Sequence, residues 1–335
     1  MAKSELNHWR SPHDRSALTL TAGVAVALLF TVIGRFWTAL GLDLRGSLSF
    51  LSVAMLLIVA IAYGRYRQMR ECQPVLEVTL LFLSLTFALL PISYIAVRFN
   101  LPIADPWLAQ MDAMLGFSWK GYVDFVDRFP LIAHGLLLAY TSFGLQLFGL
   151  PIYFALAGNA SRAFAMVFAY GAIVVVAAFV SIWFPSHGAL HHYGYGQADF
   201  LNVNTHFATS FLEQFHLTRS SERMTMVFED AEGLLTFPSV HAAVAVLCAW
   251  AAWGSRYLRY PFLVLNVAMA ASAISHGGHY AIDVPAGILL AVLAIILVKA
   301  LFKDLDTRFS LANERDYFVR LTRPAMRAAP ITAKP

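Results

Sequence analysis

The run AFAMVFAYGAIVVVAAFVSIWFP, residues 163–185, contains no Asp, Glu, Lys, Arg or His. A helix needs about 20 apolar residues to cross the hydrocarbon core of a bilayer. This run is apolar on every side, so as a helix it leaves no face for water. Outward from it, seven more runs of the same kind appear: 17–34, 48–63, 75–97 and 131–157 before it, and 238–254, 260–278 and 280–302 after it. The second and sixth of the eight are short. Composition agrees, because the 335 residues are 59% hydrophobic and 13% charged, with a mean hydropathy of +0.63. Soluble domains carry about 25% charged residues, so a water-soluble globule is excluded. The 14% of aromatic residues excludes a disordered chain. The expected fold is all-α, a polytopic membrane helix bundle of about eight transmembrane helices. The first run is longer than the 7–15 residues of a signal-peptide core and is read as a retained span.

With the N-terminus cytoplasmic, seventeen of the 24 Lys and Arg residues fall on the inner side and seven on the outer side. The outer seven are Arg35, Arg45, Arg98, Lys120, Arg128, Arg219 and Arg223. That bias follows the positive-inside rule and places both termini in the cytoplasm, as in a multi-pass protein of a bacterial inner membrane. The chain divides into a cytoplasmic segment 1–16, three N-terminal spans in 17–97, a region 98–302 that carries the chemistry, and a basic cytoplasmic tail 303–335. The tail is expected to be attracted to anionic lipids and disordered at its end. The net charge of +4 comes with no basic run interleaved with aromatics, so no nucleic-acid partner is expected. Cys72 and Cys248 are too few for a disulfide framework and have no metal-ligand spacing.

Two outer segments are too long for simple turns. In 98–130, Leu108, Met111 and Leu115 stand at helical spacing near Trp107 and Trp119, as in an interfacial helix with aromatic anchors. In 186–237, Phe207, Phe211 and Phe215 recur every four residues, again suiting an amphipathic helix. The same loop holds His187, His191, His192, His206 and His216. A metal site there is a weaker reading: His187 and His191 form an i, i+4 pair, but Gly188, Gly194 and Gly196 argue for loop.

Ionisable groups in or beside spans are expensive and are functional candidates by default. Asp283 is the one acid in the last three runs, four residues after His279. On a helix that spacing puts both on one face, where the carboxylate takes one imidazole proton and leaves the other nitrogen as a nucleophile. Phe237-Pro238-Ser239-Val240-His241 opens the sixth run. Pro238 suits a first helical position, the Ser239 hydroxyl and helix-start N–H groups suit an anion, and His241 suits proton donation to a leaving oxygen. One hairpin returns the chain to the same face, so His241 and His279 can meet at the outer surface. A lone interfacial histidine, such as His134 or His216, is more often a packing residue; the conjunction of two motifs carries the weight here.

These two stretches, the first with Pro-Ser-Val-His and the second Ser275-His276-Gly277-Gly278-His279-Tyr280-Ala281-Ile282-Asp283, resemble the second and third signature motifs of the type 2 phosphatidic acid phosphatase superfamily. The likeness is greatest to its inositolphosphotransferase branch, which includes fungal inositol phosphorylceramide synthase. Asp112-Ala-Met-Leu-Gly-Phe-Ser-Trp119 resembles a segment found before the catalytic core of bacterial members. The resemblance implies a six-helix lipid-phosphatase-like core, with His279 as nucleophile, Asp283 as its orienting carboxylate and His241 as acid and then base. Ser239 and neighbouring amides would hold phosphate oxygens. It implies no metal and no other cofactor.

The departures also matter. The phosphatase branch has Lys-x6-Arg-Pro, whereas Lys120 and Arg128 are eight apart and Phe129 separates Arg128 from Pro130. The Ser-Arg that precedes the family's nucleophile is Ser272-Ala273 here, so the arginine that clamps phosphate is missing. Phosphoryl transfer requires neutralised equatorial oxygens; the candidates to supply this are His276, Lys120 and Arg128, with Arg98, Arg219 and Arg223. The expected function is transfer of a phosphoryl or phosphoinositol-type group from a membrane lipid donor to an alcohol or lipid acceptor through a phosphohistidine. Hydrolysis of phosphatidate or polyprenyl diphosphate is the alternative within the class. A non-catalytic lipid transporter or scaffold is the alternative outside it.

Overall fold

The structure, a computed structural model, describes residues 12–43, 47–69, 72–302 and 305. Its elements in chain order are α1 (Pro12–Thr38), β1 (Gly41–Asp43), α2 (Leu48–Tyr66), α3 (Gln73–Arg98), α4 (Asp105–Met114), α5 (Trp119–Arg128), α6 (Pro130–Leu156), α7 (Ala160–Trp183), α8 (Ala189–His192), α9 (His206–Thr209), α10 (Leu212–Ser220), β2 (Thr225–Val227), α11 (Val240–Trp253), α12 (Arg259–Ser275) and α13 (Asp283–Leu301). A helix stands at each of the eight apolar runs, and the fold is an all-α membrane bundle. The basic tail beyond residue 302, Leu305 excepted, and the first eleven residues lie outside the described residues.

Six helices, α1, α2, α3, α6, α7 and α13, are long and apolar enough to cross a membrane. The two short ones are α11, with 14 residues, and α12, with 17. The second run, expected to be short, forms a helix of 19 residues. At 1.5 Å per residue α11 and α12 are about 21 and 26 Å long. Both lose residues at the same end. The helix of the sixth run starts at Val240 rather than at Pro238, and the seventh stops at Ser275, leaving 276–282 as a non-helical connection. That frayed end holds the motif residues.

The centre of the bundle is α7, which packs against α1, α3, α6, α11 and α13. Its Phe164, Met166 and Val167 are fully buried with Phe154 of α6 and Leu247 of α11. Asn159 caps α7 by accepting from the Arg162 N–H at 3.2 Å. Arg162 itself is buried and donates to the carbonyls of Trp250 and Ala251 at the end of α11. A cation there suits the negative end of the helix dipole and occupies orphan carbonyls.

The two long segments fold together as one layer over the site end of the bundle. The Asp127 carboxylate of α5 accepts the backbone N–H groups of Leu201, Asn202 and Val203 at 2.7–3.1 Å. Ala104 donates to the Pro185 carbonyl at 2.8 Å. The helix suggested by Leu108, Met111 and Leu115 forms as α4, with Leu115 as its C-cap, and α5 follows once the chain turns at Gly116 with φ +70°; Leu108 is buried and Leu115 exposed. The phenylalanine stripe is also split, with Phe207 on α9, Phe211 capping α10 and Phe215 inside it. Beside them β1 and β2 form a three-residue parallel pair, the one departure from helix among the described elements.

Candidate active site

Asp112, near the end of α4, organises the turn that carries His279. Its buried carboxylate accepts the N–H of Ala281 at 2.8 Å and of Ile282 at 2.9 Å. Burial raises its pKa, and the two N–H bonds pull the other way. Gly278, at φ +65°, makes the turn possible, and its carbonyl accepts from Ala189 of α8 at 2.6 Å.

His279 and Asp283 meet, but not across a helical turn as the spacing suggested. His279 lies in the non-helical connection before α13, and Asp283 is the first residue of that helix. From there the carboxylate reaches back: Oδ2 accepts from His279 Nδ1 at 3.0 Å and from the Tyr280 N–H at 3.0 Å. This assigns the Nδ1–H tautomer and leaves the Nε2 lone pair free. Both residues are buried, at 5% and 0% exposure, so water competes little for the pair.

Ser239 is the N-cap of α11. Its hydroxyl accepts from Ala242 at 3.3 Å, so the oxygen expected to face an anion is engaged in starting the helix. Pro238 stands before the cap instead of at the first helical position. The Ser239 N–H donates to the Asp283 carbonyl at 3.1 Å, which joins the two motif-bearing helices by their backbones. Gly287 of α13 lies directly against the Ser239 carbonyl, with no room for a Cβ.

His241 follows in the first turn of α11. Its ring stacks on Tyr140 at 4.1 Å and 12°, and lies 4.4 Å from Phe143. Tyr140 also borders Gly277, where a Cβ would stand 3.0 Å from both the Tyr140 ring and His279 Cδ2. The two imidazoles therefore flank one aromatic ring, His241 stacked on its face and His279 close to its edge across Gly277. Tyr140 is ten residues from the start of α6, so His241 lies about 15 Å below that end of the helix.

The proposed phosphate ligands are scattered. His276 is buried, with Nδ1 at 3.0 Å from the Ser275 hydroxyl and Nε2 without a partner among the described residues. Lys120 pairs with Asp124 and lies over Tyr195 and Phe200, while Arg128 is exposed at the end of α5. Arg98 clamps the carbonyls of Thr38, Thr218, Ser221 and Glu222. Arg219 donates to Leu101, and Arg223 is exposed. None of these bonds reaches His279 or His241.

The i, i+4 pair of the loop, His187 and His191, comes together, and His216 joins it. His187 lies beside His191 and His216, with ring centroids 5.0 and 4.9 Å away, and its Nδ1 meets the Asp105 carboxylate at 3.0 Å. His192 turns towards Tyr280. Among the described residues no three His, Cys, Asp or Glu are arranged to hold a metal.

An imidazole with a carboxylate-held tautomer, next to a second imidazole within a membrane bundle, can combine nucleophilic attack with proton transfer. That is the equipment of a class of enzymes built into membrane bundles. The chain belongs to the PAP2 superfamily, whose family model it matches over residues 106–297, and so to lipid enzymes of the phosphatase and phosphotransferase type. No curated protein and no solved structure matches it. The match begins just after Asp105 and takes in Asp112, a residue with no role legible in its spacing.

Proposed function

We propose that the protein is a lipid phosphotransferase that carries a phosphoryl or phosphoinositol-type group on His279. The observation that carries this reading is the His279–Asp283 pair in a turn gripped by Asp112, with His241 one aromatic ring away. In the first half-reaction the Nε2 lone pair of His279 attacks phosphorus, the bond from phosphorus to the donor's alcohol oxygen breaks, and that oxygen takes a proton from the His241 imidazolium. In the second, neutral His241 takes the proton of an acceptor hydroxyl, its oxygen attacks phosphorus, and the P–N bond breaks with its electrons returning to His279. Asp283 stabilises the positive imidazole between the two. In this reading nucleophile, orienter and proton carrier are all side chains. The absence of Lys-x6-Arg-Pro supports the inositolphosphotransferase branch. The charge distribution supports a site on the extracytoplasmic side.

The test uses purified protein in lipid micelles with EDTA, beside His279→Ala. Headgroup-labelled phosphatidylinositol is supplied with ceramide or diacylglycerol, and phosphatidate in a parallel tube. Label on the acceptor lipid, and label trapped on the native protein but not on His279→Ala, is the expected result. Free phosphate from phosphatidate alone would make the protein a phosphatase. An active His279→Ala, or activity lost to EDTA and restored by one divalent ion, would overturn the mechanism.

A further inference from the structure

A cavity of about 410 Å³ lies beside His241 and Tyr140, lined by α3, α6, α7, α9 and the 232–235 segment. That size is typical of small-molecule sites. Thr86, Thr141 and Gly144, exposed on helices long enough to span the membrane, turn one side of it to lipid, while Phe207 and Gly233 are exposed on the covering layer. Its walls are mainly Leu, Phe, Tyr and Val. None of the lining residues is Lys or Arg, and one is an acid, Glu232.

Glu232 is held in place. Its carboxylate Oε2 accepts from the Ser210 hydroxyl at 2.7 Å, and its backbone N–H donates to the Tyr94 hydroxyl at 3.1 Å. Tyr94 is buried in α3 and also bonds Gln214, whose amide donates to the Asp230 carbonyl. A carboxylate fixed in an apolar, cation-free chamber repels phosphate and attracts hydrogen-bond donors.

Resting on the phosphotransferase reading, we propose that this cavity holds the phosphate-free partner of the reaction, a long-chain lipid alcohol whose head group donates hydrogen bonds, and that Glu232 selects it. The arrangement separates the site by charge. Phosphate stays on the His279 side, while the alcohol chain enters from the bilayer and brings its hydroxyl to His241. Glu232 fixes the neighbouring donor group of the same head.

The test is photo-cross-linking in proteoliposomes with a diazirine-bearing ceramide, which offers an amide N–H and hydroxyls. Labelling is expected on peptides containing 86–93 and 140–144, displaced by ceramide but not by phosphatidate. A ceramide methylated at nitrogen and oxygen should compete about tenfold or more weakly, the scale of one hydrogen bond to a charged group. Glu232→Leu should lower labelling by a similar factor and erase the difference between the two competitors. Gly144→Trp should block labelling, since the position has open space for a side chain. Equal competition by the methylated lipid, displacement by phosphatidate, or native labelling of Glu232→Leu would overturn the assignment, and the competitor comparison decides it on native protein if a variant fails to fold. His279→Ala should label like the native protein. Loss of the phosphohistidine reading and loss of the cavity assignment are therefore separate results.

Discussion

Replacing Asp112 by Ala removes one side chain and unpairs two backbone groups. The Ala281 and Ile282 N–H groups both end on this carboxylate, at 2.8 and 2.9 Å, and the acceptor is 1% exposed. A buried donor left without an acceptor costs about 1–3 kcal/mol, so the turn loses about 2–6 kcal/mol of support. The change lies between His279 and Asp283, and it falls on the geometry that holds Nδ1 to Oδ2. Even the lower bound, expressed wholly in the population of the reactive turn, lowers turnover about thirtyfold. Asp112→Asn keeps one accepting oxygen and opposes the second N–H with an amide, so it should fall between Ala and native. The assay is turnover of headgroup-labelled donor in micelles, with thermal unfolding of the same samples and hydrogen exchange of residues 276–286. Native turnover with unchanged exchange in Asp112→Ala would refute the argument that α4 positions the reactive turn.

Asp283→Asn should cut turnover by orders of magnitude with little change in donor KM, because an amide oxygen in place of the carboxylate cannot offset the positive imidazole; full activity would remove its role. Gly287→Ala should destabilise the protein by about 1–3 kcal/mol by forcing α13 off the Ser239 carbonyl, and unchanged thermal unfolding with native turnover would show that the helices need no such closeness. The pH dependence of the covering layer has a definite sign. His191 and His216 are held below the ordinary 6.5, first by burial and then by the neighbouring His187 imidazole. The unfolded segment therefore binds protons that the folded one refuses as pH falls through 6.5, and the layer loses stability there. Burial would raise Asp105, but its bonds from His187 and Ser186 outweigh that and hold it below 3.8, so its contribution persists above 3.8 and disappears only as pH falls through the depressed value. Protection factors over 187–220, measured against the intrinsic exchange rate at each pH, should fall between pH 7.5 and 5.5; equal protection at both would contradict the sign.

Much of the bundle was legible because crossing a bilayer imposes a length and an unbroken apolarity that local sequence displays directly. Residues 163–185 and α7 nearly coincide for that reason. The site was legible as composition but not as geometry. His279 and Asp283 satisfy the i, i+4 spacing, yet Gly277-Gly278 ends the preceding helix, and the positive φ at Gly278 sends the chain into a turn. A similar turn at Gly116 ends α4 just after Leu115, the last residue of the periodic stretch. Asp112 stood inside a recognised segment, but its partners are 169 and 170 positions away, a separation no local pattern encodes. Pro238 and Ser239 both suit a helix start, and only the structure shows that the cap is Ser239, which commits its hydroxyl to Ala242.

The level of His241, beside Tyr140 and about 15 Å in from the start of α6, makes reaction depth a variable of its own. At that depth the concentration that matters is the local one. On the proposed function, water would have to pass the folded covering layer, whereas an alcohol dissolved in the bilayer would arrive sideways at its own membrane concentration. The choice between hydrolysis and transfer would then be a competition between two diffusion routes. Thinning the bilayer or loosening the cover should shift that ratio without altering any group that performs the chemistry.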